Sequence, residues 1–172
     1  MPAEEEVEEH IHHAQEPFDK AVAGTMAIIA ALLAIVSVAG QHFIKEELLE
    51  QAKASDQWAY YQAKDIRRFT AEATRDMLGE LKQGAPSAAR YDKQAAKYKS
   101  DTEQIQEKAR DFEHESERSG EKGERFHYGE IFLEIAIVFS SLSILTKARL
   151  LFFLGAASAI GGLIIAVTAW LI

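Results

Sequence analysis

Two long stretches of the chain contain no charged residue, Ala21–Gly40 and Leu150–Ile172. A helix of about 20 apolar residues spans the roughly 30 Å hydrocarbon layer of a bilayer, so each stretch predicts a transmembrane helix. A third apolar block, residues 135–146, follows Glu130 and Glu134, and it almost reaches spanning length if its helix begins a few residues earlier. The alternative for this block is a core helix or a helix that lies on the membrane surface.

These stretches predict an all-α membrane protein with three transmembrane helices, at residues 18–43, 130–146 and 150–172. Between the first two, residues 44–129 are rich in charge, and no proline or glycine occurs between Gln41 and Leu78. We expect this segment to form a long antiparallel coiled-coil hairpin outside the membrane, with its turn at residues 84–87. Each leg has about 43 residues, roughly 64 Å as a helix, so the chain returns to the same membrane surface.

Apolar or small residues recur every three or four positions along both legs, as on the buried face of a helix. In the first leg they form a narrow set that we call the first-leg stripe: Ile44, Leu48, Ala52, Ser55, Ala59, Ala63, Ile66, Phe69, Ala73, Met77 and Leu81. In the second leg, steps of three and four alternate as in a heptad, in a set that we call the second-leg stripe: Ala88, Tyr91, Ala95, Tyr98, Thr102, Ile105, Ala109, Phe112, Ser116, Ser119, Gly123 and Phe126. We expect the two stripes to face each other, with the pairs Ile66 and Ile105, Ala73 and Tyr98, Ala59 and Phe112, and Leu48 and Gly123.

The net charge of -8 comes mainly from the N-terminal segment, where seven acids accompany Lys20 within the first 20 residues. Residues 1–17 therefore predict an acidic, flexible tail with little to bury. No basic stripe accumulates anywhere, which argues against a nucleic-acid partner. The N-terminus lacks the basic start of a secretory signal, so the first apolar stretch is interpreted as a retained anchor. The chain has no cysteine, which excludes disulfides and thiolate metal sites.

The tail holds three closely spaced histidines among its glutamates, His10, His12 and His13. If the tail becomes helical, spacings of three and four place imidazoles and carboxylates on shared faces, and imidazole suits zinc, copper or nickel. The alternative, which we favour, is a solvated acidic tail, because a tetrahedral metal site needs ligands that are held rigidly. We therefore expect no cofactor and keep these histidines as weak metal candidates.

Three aromatic residues, Trp58, Tyr60 and Tyr61, lie about 14 to 20 residues beyond the end of the first apolar stretch, roughly 25 Å along a straight helix. They are too far from the bilayer to anchor in its interface. Aromatic residues are enriched in protein interfaces, so one interpretation is a contact with a partner or a neighbouring protomer. The other is packing against the second leg.

The segment 56–67, which reads DQWAYYQAKDIR, and the segment 135–141, which reads IAIVFSS and follows Phe126-His127-Tyr128, carry a family likeness. With these segments the chain resembles the bacterial domain-of-unknown-function family 4337. The resemblance covers most of the chain after the acidic tail. It implies a small bacterial membrane protein, and it carries over no activity, cofactor or catalytic residue.

Glu130 and Glu134 lie four apart on one helical face, with His127 just before them and Ser141 two turns after. Ionisable residues in a membrane segment are costly, so they raise a functional hypothesis. If protomers assemble around this face, the glutamates form an acidic ring that attracts cations or relays protons. The alternative, which we favour, is structural: Glu130 lies near the water interface, and Glu134 is hydrogen-bonded by Ser37.

Residues 147–149 are too few to form anything but a turn between the second and third apolar helices. Lys147 and Arg149 in this turn, with Lys20 on the same side, favour a cytoplasmic location by the positive-inside rule. This orientation places the hairpin in the periplasm or its equivalent, in a multi-pass protein of the bacterial inner membrane.

The last apolar stretch carries two pairs of small residues four apart, Gly155 with Ala159 and Ser158 with Gly162. Small residues at this spacing allow helices to approach closely in a membrane. They predict a helix-packing face, either within one protomer or between protomers.

No nucleophile with a neighbouring base, glycine-rich phosphate loop or rigid ligand cluster is recognisable, so we expect no enzyme. The first functional hypothesis is a membrane-anchored coiled-coil scaffold or assembly protein, which acts as a homo-oligomer or as a subunit of a larger membrane complex. The alternative is a small oligomeric cation channel or proton-relay protein that uses the Glu130 and Glu134 face. The expected partners are the lipid bilayer and either further copies of the chain or the other subunits of a membrane complex.

Overall fold

A computed structural model describes residues 17–81 and 85–172 of the chain. These residues form helix α1, Pro17–Gly79, helix α2, Ala85–Thr146, and helix α3, Arg149–Thr168, followed by a short 3-10 helix, Ala169–Leu171. Prolines occur only where helices tolerate them, because Pro17 is the first residue of α1 and Pro86 is the second of α2. A proline in the first turn costs no helical hydrogen bond.

All three helices are long and apolar enough to cross a membrane. The described residues contain no strand. The prediction of an all-helical chain with three candidate membrane helices is therefore confirmed at this level.

Part of the segment predicted to form the turn is helical instead. Helix α1 ends at Gly79 and α2 begins at Ala85, so residues 85–87 of the predicted turn belong to the first turn of α2. Gly84 lies outside the described residues, and so does the acidic tail with His10, His12 and His13.

The chain divides into two compact units, Met1–Ile44 with Gly120–Ile172, and Lys45–Ser119. In the first unit all three helices contribute to one apolar core, whose buried members are Ile29, Val36, Phe126, Leu133, Ala136, Ala159, Ala166 and Ala169. Alanine makes up half of this set. The helices therefore meet largely through small side chains, which permits close contact.

The turn that connects α2 to α3 is stabilised by a hydrogen bond to α2 and by an ion pair to α1. Lys147 has a positive φ of 55°, which breaks the helical path, and Ala148 is extended. The Ser143 hydroxyl donates to the Ala148 carbonyl at 3.1 Å. The Lys147 ammonium pairs with Asp19 in the first turns of α1 at 2.5 Å, so this turn lies beside the beginning of α1.

In the second unit, residues that come later in α1 contact residues that come earlier in α2. Ser116 donates to the Glu47 carbonyl at 3.1 Å, Lys64 pairs with Asp101 at 2.8 Å, and Arg75 pairs with Asp92 at 3.1 Å. All twelve residues of the second-leg stripe are buried or half-buried, as the alternation of three and four predicts.

The first-leg stripe behaves in the opposite way, and its predicted burial is wrong. All eleven of its residues are exposed, including Ile66 at 66% and Met77 at 73%. Between residues 46 and 78 of α1, the buried or half-buried positions are instead Glu46, Glu47, Glu50, Lys53, Ala54, Gln57, Trp58, Tyr61, Lys64, Asp65, Arg68, Ala71, Glu72, Thr74, Arg75 and Leu78. Long charged side chains can cover an apolar neighbour with their aliphatic stems while their heads reach water, so charge did not keep these positions exposed.

The predicted facing pairs are wrong for the same reason. The Lys53 ammonium lies over the Phe112 ring, 5.6 Å from the ring centroid. Phe112 was predicted to lie opposite Ala59 instead. In the first unit, a Cβ added at Gly123 would lie 3.1 Å from the Cγ1 of Ile44, so the neighbour of Gly123 is one turn earlier than the predicted Leu48.

Candidate functional site

The polar face of α2 is exposed along its length. His127, Glu134 and Ser141 follow each other at intervals of seven residues, so they lie on one side of the helix, and all three are exposed. Glu134 makes no hydrogen bond or ion pair with any part of the chain that the structure describes. The expected hydrogen bond from Ser37 to Glu134 is therefore wrong.

Glu130 differs from Glu134 because it has a partner. Its carboxylate lies 3.7 Å from the Nδ1 of His127, and its side chain keeps 26% of its exposure. At this distance the pair is a loose ion pair when the imidazole is protonated. The structure thus brings His127 and Glu130 together and leaves Glu134 by itself.

Glu134 lies at the beginning of the apolar part of α2, directly before residues 135–146. Twelve residue steps separate it from Thr146 at the end of the helix, which corresponds to about 18 Å at 1.5 Å per residue. A hydrocarbon layer is about 30 Å thick, so a span that ends at Thr146 has this carboxylate inside the layer.

The aromatic residues of the first leg are divided between the interior and the surface. The indole N–H of Trp58 donates to Glu113 of α2 at 2.8 Å, and its ring meets Tyr61 edge to face at 5.5 Å. Both residues are half-buried, whereas Tyr60 keeps 49% of its exposure. Packing on α2 therefore accounts for Trp58, and Tyr60 is the most accessible of the three.

A lysine site next to these aromatics was missed by the sequence reasoning. The Lys64 ammonium lies 5.5 Å from the Tyr60 ring centroid and 5.4 Å from that of Tyr98, and it pairs with Asp101. The hydrogen bond to Asp101 raises the pKa of Lys64, and the same bond lowers the pKa of Asp101. A lysine spaced four from a tyrosine is a weak signal, because its aspartate partner comes from the other helix.

The small residues of α3 lie against α2. A Cβ added at Gly155 would lie 2.9 Å from the Ala136 carbonyl oxygen, and one added at Gly162 would lie 2.7 Å from that of Gly129. Ala159 is buried between these glycines. The helices approach so closely that only glycine fits at these two points.

Two further residues complete this helix contact. The Ser158 hydroxyl donates to the Phe132 carbonyl at 2.8 Å, which joins the helices by a polar contact as well. Gly129 is the partner that sequence reasoning missed, because a single glycine beside charged residues carries no spacing signal.

Residues 18–172 match the family DUF4337, a domain of unknown function. The match covers everything after the N-terminal tail. This chain belongs to the DUF4337 family. No curated protein and no solved structure matches the chain.

The geometry of this DUF4337 chain determines which kinds of chemistry its candidate groups can carry. Among residues 17–81 and 85–172, no group of three or more His, Asp or Glu side chains is placed to hold a metal ion. The acidic groups of the α2 face are single carboxylates, without a neighbouring nucleophile in contact. Such carboxylates can attract a cation or exchange a proton, and neither needs a cofactor.

Proposed function

We propose that this DUF4337 protein is a non-enzymatic, membrane-anchored scaffold or assembly protein, acting as a homo-oligomer or as an accessory subunit of a membrane complex. The observation that carries the proposal is the length of its first two helices, 63 and 62 residues. A span needs about 20 residues, so about 40 residues of each helix remain for an extended structure outside the bilayer. Extended helical pairs offer long surfaces for other proteins rather than enclosed catalytic clefts.

The extended part is, in this proposal, an antiparallel coiled-coil hairpin. Its support is the heptad spacing of the buried second-leg stripe and the descending order of contacts such as Lys64 with Asp101. The partner contacts of this scaffold include the exposed Tyr60 and the neighbouring Trp58 and Tyr61.

The membrane in the proposal is the bacterial inner membrane, crossed three times. Tyr128 and Trp170 are exposed near the ends of two spans, where amphipathic rings anchor in the headgroup region. The bases Lys147 and Arg149 in the short α2–α3 turn favour the cytoplasm, with the hairpin in the periplasm.

The first test is the mass of the full-length protein in lipid nanodiscs, together with a low-resolution image. The proposal expects either several protomers in one particle or a larger complex that co-purifies with the chain. A lone monomer both after gentle extraction from its host and in nanodiscs contradicts it. Tyr60→Ala, at the exposed aromatic, is expected to weaken the assembly, whereas Glu134→Gln, which keeps its shape, leaves it unchanged.

A second candidate function rests on Glu134. An exposed carboxylate inside a membrane span, without a partner among residues 17–81 and 85–172, is costly unless something outside the protomer compensates it. Protomers arranged with this face toward a common axis form an acidic ring with Glu130 and the exposed His127 and Ser141. Such a ring attracts cations or relays protons.

Flux through proteoliposomes tests this second function directly. Glu134→Gln removes the charge and is expected to abolish any cation or proton flux that the wild-type protein supports. Glu103→Gln is the matched control, because Glu103 is an exposed glutamate outside the spans and its change should leave the flux intact. Equal flux from wild-type protein, Glu134→Gln and empty vesicles contradicts the conducting role.

A further inference from the structure

The longest uncovered apolar surface in the second unit is the first-leg stripe from Leu48 to Leu81. Its large members keep most of their exposure, for example Phe69 at 56% and Leu81 at 60%. The last stripe residue inside α1 is Met77, and the 29 residue steps from Leu48 correspond to about 44 Å of helix, which at a helix width of about 10 Å gives a surface of roughly 440 Å². The largest patch on a typical monomer covers about 300–600 Å² and is often functional, so this stripe is a candidate contact surface.

The spacing of this surface suits another straight helix. Its steps of three and four average close to the 3.6 residues of a helical turn, so the stripe stays on one side of α1. Four consecutive stripe positions are small, Ala52, Ser55, Ala59 and Ala63, and the larger side chains lie on both sides of this run. Small residues let two helix backbones approach, and the larger ones fill the space between the close points.

The charge pattern of the first-leg stripe favours a second copy of this chain as the molecule that packs on it. Of residues 45–81, 14 of 37 are charged, but none of the ten stripe positions from Leu48 to Leu81 is. Two copies of a chain anchored in one membrane leave it in the same direction, so their first legs run parallel and each residue meets its own counterpart. A charge on this surface would meet a like charge in that arrangement, which is destabilising. An uncharged stripe in a highly charged helix is what parallel self-association requires.

We propose that the first-leg stripe from Leu48 to Leu81 is the surface on which a second copy of this chain packs, parallel and in register. The inference rests on the proposed membrane-anchored scaffold, and it assigns to that scaffold a specific oligomer contact. The intramolecular pairing of α1 with α2 uses the other side of α1, at Ala54, Lys64 and Ala71. Both contacts can therefore form at once.

Cysteine cross-linking of the full-length protein in lipid bilayers tests the surface and its direction. The chain has no native cysteine, so each introduced thiol reports one position. Ser55→Cys and Ala73→Cys lie on the stripe, about 27 Å apart along the helix. A parallel, in-register pair brings both positions next to their counterparts, so each variant by itself is expected to form a disulfide-linked dimer under mild oxidation. Ser100→Cys, an exposed serine of α2 off both stripes, is the matched control and should stay at background.

Ile66→Glu tests the same surface without a cross-link. Ile66 is exposed, so the fold is expected to remain intact, with unchanged helix content. The two introduced carboxylates would face each other, and the dimer fraction across a dilution series in nanodiscs should show at least a tenfold loss of self-association. Ser100→Glu adds the same charge elsewhere and should have no such effect.

Each other outcome overturns the inference in a distinguishable way. Dimers that form only when Ser55→Cys and Ala73→Cys chains are mixed indicate antiparallel pairing. An oligomer whose Ser55→Cys thiol stays unlinked places the protomer contact elsewhere, while the scaffold proposal stands. A monomer whose stripe thiols are protected from alkylation by a co-purified protein makes the occupant a different chain, and the scaffold then acts as an accessory subunit.

Discussion

The contact between α2 and α3 and the contact between α1 and α2 in the charged unit are built differently. In the first, backbones nearly touch, because added Cβ atoms at Gly155 or Gly162 would lie within 3 Å of carbonyl oxygens. In the second, the buried residues are mostly small, such as Ala54 and Ala109, and long side chains lie beside them, as where the Lys53 ammonium covers the Phe112 ring. One contact depends on glycine, and the other on small side chains flanked by long ones.

The membrane location proposed for the first unit accounts for this difference. In hydrocarbon, burying an apolar side chain gains nothing over lipid, so helix association depends on close packing and polar contacts such as Ser158 with the Phe132 carbonyl. In water, aliphatic stems and rings gain from leaving solvent, even when the stem ends in a charge. The four tests below probe this comparison, from the largest expected effect to the smallest.

Gly162→Leu should cause the largest loss of stability. The new side chain would meet the Gly129 carbonyl and the Phe132 Cβ, so α2 and α3 must separate, at a cost of at least about 3 kcal/mol. The measurement is the unfolding midpoint of the full-length protein in mixed detergent micelles. Gly161→Ala is the control, because nothing lies within 4 Å of its added Cβ, and it should be neutral or slightly stabilising. Equal midpoints for the two variants would show that the helices do not meet at glycine.

Ile105→Ala and Ile66→Ala form a matched pair that tests which side of α1 faces α2. Ile105 keeps 7% of its exposure and Ile66 keeps 66%. Truncation of the buried isoleucine should cost about 2–4 kcal/mol, whereas the exposed one should change the stability of the dilute protein by less than about 0.5 kcal/mol. Urea midpoints of the helical signal measure both. Equal losses would restore the pairing of these two residues that the sequence alone predicts.

Ser116→Ala should have a smaller effect, about 1 kcal/mol. It removes the hydroxyl that donates to the Glu47 carbonyl across the charged unit. Ser100→Ala makes the same change at an exposed serine and should be silent. Hydrogen exchange of the amides around Glu47 measures the local opening, and identical exchange in both variants would make the bond irrelevant to the contact.

The pairing of Lys64 with Asp101 should give the smallest effect, and one that depends on pH. Lys64 lowers the pKa of Asp101 below its usual 3.8, so the pair stabilises the fold above that pH and loses its effect as pH falls through the lowered value. Asp101 raises the pKa of Lys64 above 10.5, so the effect is present below that pH and is lost as pH rises through the raised value.

Asp101→Asn should remove this dependence on pH. The stability difference between wild-type and variant protein should stay constant from about pH 5 to 9 and shrink outside that window. Thermal unfolding across pH is the measurement. A difference that persists unchanged at about pH 2 would mean that Asp101 acts by packing and not by charge.

The second-leg stripe shows where sequence reasoning works. Ala95, Ile105 and Ala109 are small or apolar and recur at heptad spacing, and all three are buried. Their neighbours on the other faces are charged, so only one face of this helix can be covered at low cost. The local pattern therefore carries the answer.

The first-leg stripe shows where the same reasoning fails. Its apolar residues had the right spacing, but a set on another side of α1, with Lys64 and Arg68, is covered instead. A rule that assigns charged residues to the surface cannot find this face, because it ignores their stems and their ion pairs. The second helix decides which face is covered, and its contribution is absent from the first helix's own pattern.

The candidate site was partly predictable for a similar reason. Periodicity places Glu134 on one helical face with His127 and Ser141, and in the structure these three residues lie on one exposed side of α2. The predicted hydrogen bond from Ser37 to Glu134 depended on the register between α1 and α2, and this prediction was wrong. Register depends on contacts such as Gly40 against Phe126, where an added Cβ would lie 3.1 Å from the phenylalanine Cβ.

The sequence by itself determined that the described chain is helical and that three of its helices are apolar enough to cross a membrane, because uncharged runs and helix-breaking residues act locally. Only the tertiary structure decided which side of α1 is covered, which glycines touch a neighbouring backbone, and that Glu134 has no partner within the described chain. The rotation of a helix about its axis is set by the shape and charge of the helix beside it, and that information lies in another part of the sequence.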